Sequence, residues 1–193
     1  MKQLLCYLLA LGIAQFSMAQ GGDSSHIFKK FKVDVSIGYA IPQSSSNGAS
    51  YNGGALFVIE PKYAIIDPLS IGFRFEGAAI VHAYTNSYTG KTNGKADLSY
   101  LLTADYYLSN KNFRPFVGAG AGIFTSASVD SANYTSNPNS IPSTSQFGFM
   151  ARAGFEAGHF RLGVEYNFVG NSANYLGLKI GVCIGGGRIK HTH

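Results

Sequence analysis

From residue 29 onward apolar and polar positions alternate with a period of two, which marks β-strands with two unlike faces. Eight runs carry the pattern, over residues 31–39, 55–65, 69–83, 96–108, 113–123, 146–156, 160–168 and 175–184. In the first, Phe31, Val33, Val35, Ile37 and Tyr39 oppose Lys32, Asp34, Ser36 and Gly38. In the third, Ile71, Phe73, Phe75 and Ala79 oppose Ser70, Arg74, Glu76 and His82. Pro61 interrupts the second run, where a β-bulge is expected because proline has no N–H for the ladder.

The connections alternate in length. Asp67-Pro68, Ser109 to Asn112 and Ala157 to His159 are short and hold residues that suit tight turns. Gln43 to Asn52, Thr85 to Gly94 and Ala127 to Ser145 are long and rich in Ser, Asn, Thr and Gly, with a shorter one at Gly170 to Ala173. Short and long loops in alternation predict an all-β, up-and-down antiparallel barrel, with short turns on the periplasmic side and long loops outside. An even strand count puts both chain ends on the periplasmic side.

Charge placement decides which face meets what. Fourteen charged residues fall on the polar strand face and none on the apolar one. Seven are cations, namely Lys32, Lys62, Arg74, Arg114, Arg152, Arg161 and Lys179. Seven are anions, namely Asp34, Glu60, Glu76, Asp97, Asp105, Glu156 and Glu165. A balanced set interspersed with glycines (Gly38, Gly118, Gly120, Gly122, Gly163, Gly177 and Gly181 among them) fits the narrow interior of an eight-stranded barrel. Lys or Arg in the middle of the lipid face would cost about 2–4 kcal/mol, which accounts for the empty column. The expected ion pairs are Lys32 with Asp34, Glu60 with Lys62, and Arg74 with Glu76.

Composition agrees. Of 193 residues only 13% are charged, against 46% hydrophobic, with 24 Gly, 12 Tyr, 14 Phe and no Trp. That excludes a coiled coil, a helical bundle and an acidic disordered tail. The net charge of +5 is scattered, so no basic stripe for nucleic acid is present. Lys2, the apolar stretch Leu4 to Phe16 and Ser17-Met18-Ala19 predict a secretory signal peptide over residues 1–19, cleaved after Ala19. Residues 20–28 then form a short periplasmic N-terminal segment, 29–184 the barrel, and 185–193 a C-terminal tail. Cleavage leaves Cys183 as the single cysteine, read as an inert small residue on the luminal face.

The segments from Gly53 to Glu76 (GGALFVIEPKYAIIDPLSIGFRFE), Phe113 to Phe124 (FRPFVGAGAGIF) and Leu176 to Val182 (LGLKIGV) resemble the outer-membrane β-barrel domain family. Its OmpX/OmpA-like members are eight-stranded barrels of Gram-negative bacteria, and the likeness spans residues 29 to 184. The resemblance implies residence in the outer membrane and insertion by the outer-membrane assembly machinery. It brings no shared catalytic residues. Such chains commonly end in an aromatic residue, whereas this one continues past Ile184 to His193.

The reading of function is an integral outer-membrane platform, monomeric and surrounded by lipid, that presents polar loops to an unnamed extracellular ligand. The fourteen luminal charges act as a structural salt-bridge network, with no catalytic residue, cofactor or metal assigned. A small or gated pore is the alternative. An outer-leaflet lipid-modifying enzyme is the second, resting on His82 near the outer end of the third strand and serines within Ser44 to Ser50, without a neighbouring acid. His191 and His193 read as part of a frayed tail, Asn133-Tyr-Thr135 as an exposed loop, and Gly118, Gly120 and Gly122 as packing glycines.

Overall fold

The computed structural model describes residues 27–43, 53–83, 92–130, 143–170 and 173–189. They form eight antiparallel strands, each paired with its neighbours in sequence. The strands are β1 (Phe31–Pro42), β2 (Gly54–Ile66), β3 (Leu69–Ala83), β4 (Thr92–Tyr107), β5 (Phe113–Asp130), β6 (Ser143–Ala157), β7 (Phe160–Phe168) and β8 (Tyr175–Gly185). Pairing of β1 with β8, from Lys32↔Gly185 to Pro42↔Tyr175, closes the sheet into a barrel without a free edge. No helix among the described residues is long and apolar enough to cross a membrane. The expected signal peptide and the whole segment before Ile27 lie outside the described residues, as do the tail residues past Ile189.

The two faces separate along every strand. Leu102 is 65% exposed, while its neighbours Leu101 and Thr103 are 0% and 3% exposed. The exterior carries Ile37, Phe57, Phe73, Leu98, Phe149, Ile180 and other large apolar side chains. Such a surface around a closed barrel is stable against hydrocarbon and not against water. Tyr63, Tyr106, Phe113 and Phe160 mark the lower, periplasmic rim of the band. Phe155 belongs with them, its ring 5.1 Å from Phe113 and 6.2 Å from Phe160.

Two local expectations are corrected. No bulge forms at Pro61, which faces Val33 on β1 in unbroken register. Pairing of β2 with β3 lapses at Glu60 and Pro61 and resumes at Lys62↔Gly72 with no shift. The missing N–H removes ladder contacts there but inserts no residue. The register shift of this hairpin lies between Ala64 and Ile66, beside the turn.

The other correction concerns strand length. β4 starts at Thr92, β5 runs to Asp130 and β6 starts at Ser143, all inside stretches expected as loop. At 16 and 18 residues, β4 and β5 exceed the ~9–11 that a tilted strand needs to cross a bilayer. Above the apolar band Thr125 faces Ser145, their hydroxyls 2.9 Å apart. Continuing the ladder satisfies the backbone of a polar stretch and adds cross-strand hydroxyl contacts, so the hairpin rises out of the membrane.

Glycines set how near the inner side chains approach one another. A Cβ on Gly118 would collide with the Asp105 carboxylate and lie 3.1 Å from Arg152 Nε. Gly118→Ala is therefore expected to lower stability by about 1–3 kcal/mol, read as a lower urea midpoint in detergent with an unchanged slope.

Candidate functional site

The lumen is the only feature of the described residues that gathers chemistry, and it is built in tiers from the periplasmic end upward. Thirteen of the fourteen expected charged residues are buried, and the Lys179 side chain is 10% exposed. β1 contributes Lys32 and Asp34, β2 Glu60 and Lys62, and β3 Arg74 and Glu76. β4 contributes Asp97 and Asp105, and β5 Arg114. β6 contributes Arg152 and Glu156, β7 Arg161 and Glu165, and β8 Lys179.

The lowest tier is a stack. The Arg114 guanidinium lies between the rings of Phe28 and Tyr107, 3.9 and 4.0 Å from their centroids. It also donates to the Asp67 carbonyl at 2.8 Å. The Asp67 carboxylate in turn accepts the Ile27 amide at 3.1 Å, which holds the N-terminal segment under the barrel mouth. Phe28 pairs with Arg188 as an isolated bridge, and Phe28 is buried. Residues 27–28 and 186–189 thus act as a gasket rather than as loose ends. Phe28→Ala removes one face of the stack and is expected to cost about 1–2 kcal/mol, with faster amide exchange at residues 27–30.

The second tier centres on Asp105. Its carboxylate accepts from Lys62 at 2.6 Å, Arg152 at 2.7 Å and Arg161 at 2.7 Å. Lys62 also reaches Asp34 at 2.5 Å and Glu60 at 3.6 Å. Arg152 forks onto both Glu60 oxygens at 2.8 and 2.6 Å. The expected pair of Lys32 with Asp34 does not form. Lys32 turns to Glu156 and to the Tyr107 hydroxyl at 2.6 Å. Side chains two apart on one strand project in parallel, so a partner across a narrow lumen is nearer than the one along the strand.

The third tier joins Arg74 to Glu76 and, through a two-pronged contact, to Glu165. Lys179 holds the other side of Glu165, and the Tyr175 hydroxyl donates to Glu76. Above it the interior turns apolar, with Leu56, Ala78, Leu101, Phe124, Met150, Val169 and Tyr175 packed together. Met150 bridges the two zones, its sulfur 3.6 Å from Arg74 Nη1. This layer leaves little trace in the alternation because Leu101 and Phe124 interrupt otherwise polar columns or end them. Tyr107 and Arg114 on the luminal face were the one legible hint of the lower stack.

Little space remains. Among Asp34, Glu60, Phe116, Arg152, Arg161 and Lys179 the void is about 10 Å³, room for one water at most. Asp34, Glu156 and Cys183 bring ligand atoms within 4.8 Å of one another. Resident cations already fill that space, since Lys62 holds Asp34 while Lys32 and Arg161 hold Glu156. A metal ion would have to displace them. The side chain of His82, the serines of Ser44 to Ser50, His191, His193 and Asn133-Tyr-Thr135 lie outside the described residues.

No family model matches the sequence, and no curated protein does. Among solved structures, the neisserial surface protein A superposes with a TM-score of 0.61 at 16% identity, over 80% of this chain and 96% of its own. The chain has the fold of the eight-stranded outer-membrane barrels. OprG of Pseudomonas aeruginosa superposes with a TM-score of 0.49 at 13% identity, over 87% of this chain and 99% of its own. Ail of Yersinia pestis, solved with the heparin analogue sucrose octasulfate, gives 0.47 at 14% identity, over 83% and 99%. With its apolar exterior and strand-built span, this barrel is an integral protein of the Gram-negative outer membrane.

Proposed function

We propose that the protein is a rigid, non-conducting and non-catalytic platform that holds polar loops clear of the outer membrane. The observation that carries this reading is the packed lumen, where an ion-pair network around a void of only about 10 Å³ lies between an apolar layer above and the Phe28–Arg114 stack below. A conducting pore needs a continuous wet path, and a charged lumen that pairs internally has none. The extended β4, β5 and β6 support it further, since they lift the connections between strands away from the lipid surface. The barrel works as a monomer, inserted by the outer-membrane assembly machinery, with outer-membrane lipid around it and an extracellular ligand bound by the loops. No cofactor, metal or nucleic acid enters this reading.

Two measurements test it. Purified barrel in planar bilayers is expected to give no stepwise conductance, and discrete steps would favour the pore. Deleting residues 131–142 is expected to leave the heat-shifted gel band in place while abolishing attachment of expressing cells to immobilised glycans or matrix proteins. Attachment that survives the loss of each long loop would sink the platform.

A further inference from the structure

The lipid-facing wall of β1–β4 carries a dent that its own side chains leave open. Two outward rows cross it, set by the strand register: Tyr39–Ala55–Ala79–Ala96 above and Ile37–Phe57–Gly77–Leu98 below. Small residues make the floor, while Tyr39, Phe57 and Leu98, each about half exposed, stand at the sides. The open groove measures about 830 Å³. Asp97, beside Ala96, is buried, so its carboxylate turns to the lumen and not to the groove. On the β5–β7 side the extracellular rim instead carries Ile123, Phe147 and Phe168, bulky and exposed.

Gly77 deepens the groove, and the fold does not require a glycine there. Its φ lies outside the left-handed region, and glycine weakens the interior of a strand. Lumen-facing glycines have a packing reason. A Cβ at Gly38, Gly122 or Gly154 would collide with the carbonyl of Leu178, Tyr100 or Leu162 on the next strand. At Gly77 the nearest atom to such a Cβ is Leu98 Cδ2, 3.8 Å away, an ordinary contact. A strand glycine that the protein's own atoms do not demand marks a place where another molecule approaches the backbone.

We infer that the groove is a binding site for an acyl chain of the outer-leaflet glycolipid. It is continuous with the apolar band that already meets hydrocarbon. Depth selects the leaflet, since Tyr39 and Ala55 stand within three residues of the extracellular ends of β1 and β2, at the opposite end of the wall from the rim at Tyr63 and Tyr106. Phe57 and Leu98 flank Gly77 on adjacent strands, so their Cα atoms are about 10 Å apart. That slot admits a methylene chain but not the studded wall of a second barrel. The driving force is close contact and not escape from water, because a chain seated on Gly77 and the alanines gains dispersion contacts along its length. The inference rests on membrane insertion and is independent of what the loops bind.

The test is native mass spectrometry of the full mature chain released from vesicles of lipid A and phosphatidylethanolamine. The wild type is expected to retain lipid A in preference to the phospholipid. Gly77→Leu fills the groove and should cut that retention by about tenfold or more. The same variant should keep its heat-shifted band and a urea midpoint no lower than wild type, because the added side chain meets open space and the unfolded chain loses freedom. Ala79→Leu, in the row above, should act in the same way. Ala119→Leu, exposed on the lipid face of β5, should retain lipid A as the wild type does. Equal retention of the two lipids, or lipid A retained undiminished by both groove-filling variants, overturns the proposal. So does a loss with Ala119→Leu as large as with Gly77→Leu, or a dimer of the chain that Gly77→Leu dissociates, since a second copy would then be the occupant.

Discussion

Asp105→Asn is expected to destabilise the barrel by about 3–5 kcal/mol, among the largest effects of any single substitution in this chain. The change preserves shape and removes one charge. Lys62, Arg152 and Arg161 all converge on that carboxylate at 2.6–2.7 Å, and Asp105 has no exposed surface. Without it Lys62, Arg152 and Arg161 are left with only their contacts to Asp34, Glu60 and Glu156, beside a void with room for one water at most. Equilibrium unfolding in urea, with the barrel in detergent micelles, reads the loss as a lowered midpoint. Adding Arg161→Gln removes a cation along with the anion and should recover part of the stability. A midpoint within a few tenths of a molar of wild type would mean that water or counterions reach the hub.

Arg74→Ala is expected to cost a similar 3–5 kcal/mol, for a different reason. Here the cation is lost and two carboxylates stay behind. Glu165 keeps Lys179 and Glu76 keeps the Tyr175 hydroxyl, so neither is fully stranded, but the planar fork that joined them is gone. A void under Met150 adds to the loss. Arg74→Lys should fall between, because an ammonium restores charge without the two-pronged geometry. Lys91→Ala, in the polar connection after β3, should change stability by less than about 0.5 kcal/mol. Equal midpoints for Arg74→Ala and Lys91→Ala would remove the network from the account of what holds the barrel.

Much of this architecture was legible in the chain because a bilayer makes the two faces of each strand so unlike. Leu98, Tyr100 and Leu102 could not share a face with Asp97, Thr103 and Asp105 in any medium. The strand ends were harder to read. Residues 126–130 set Ser126, Ser128 and Asp130 against only Ala127 and Val129, and 143–145 carry hydroxyls on both faces, so the contrast between faces is weak although the ladder continues. Which luminal charges meet was beyond local reasoning as well. The Arg152–Glu60 and Lys32–Glu156 contacts join residues 92 and 124 apart in sequence, and only the closed cylinder brings them together. The gasket was hidden for a related reason. Nothing in Ile27-Phe28-Lys29 alternates long enough to look like a strand, and its partner, Gly187-Arg188-Ile189, follows two glycines near the far end of the chain.

The seam between β1 and β8 has a consequence for biogenesis. The strands that seal the cylinder are the first and the last of the barrel to be synthesised, and a partial product lacking residues 175–185 leaves one edge of β1 without a mate. Sealing must therefore wait for the complete polypeptide, and a prematurely terminated copy would offer an open hydrogen-bonding edge to chaperones and proteases instead of a finished wall.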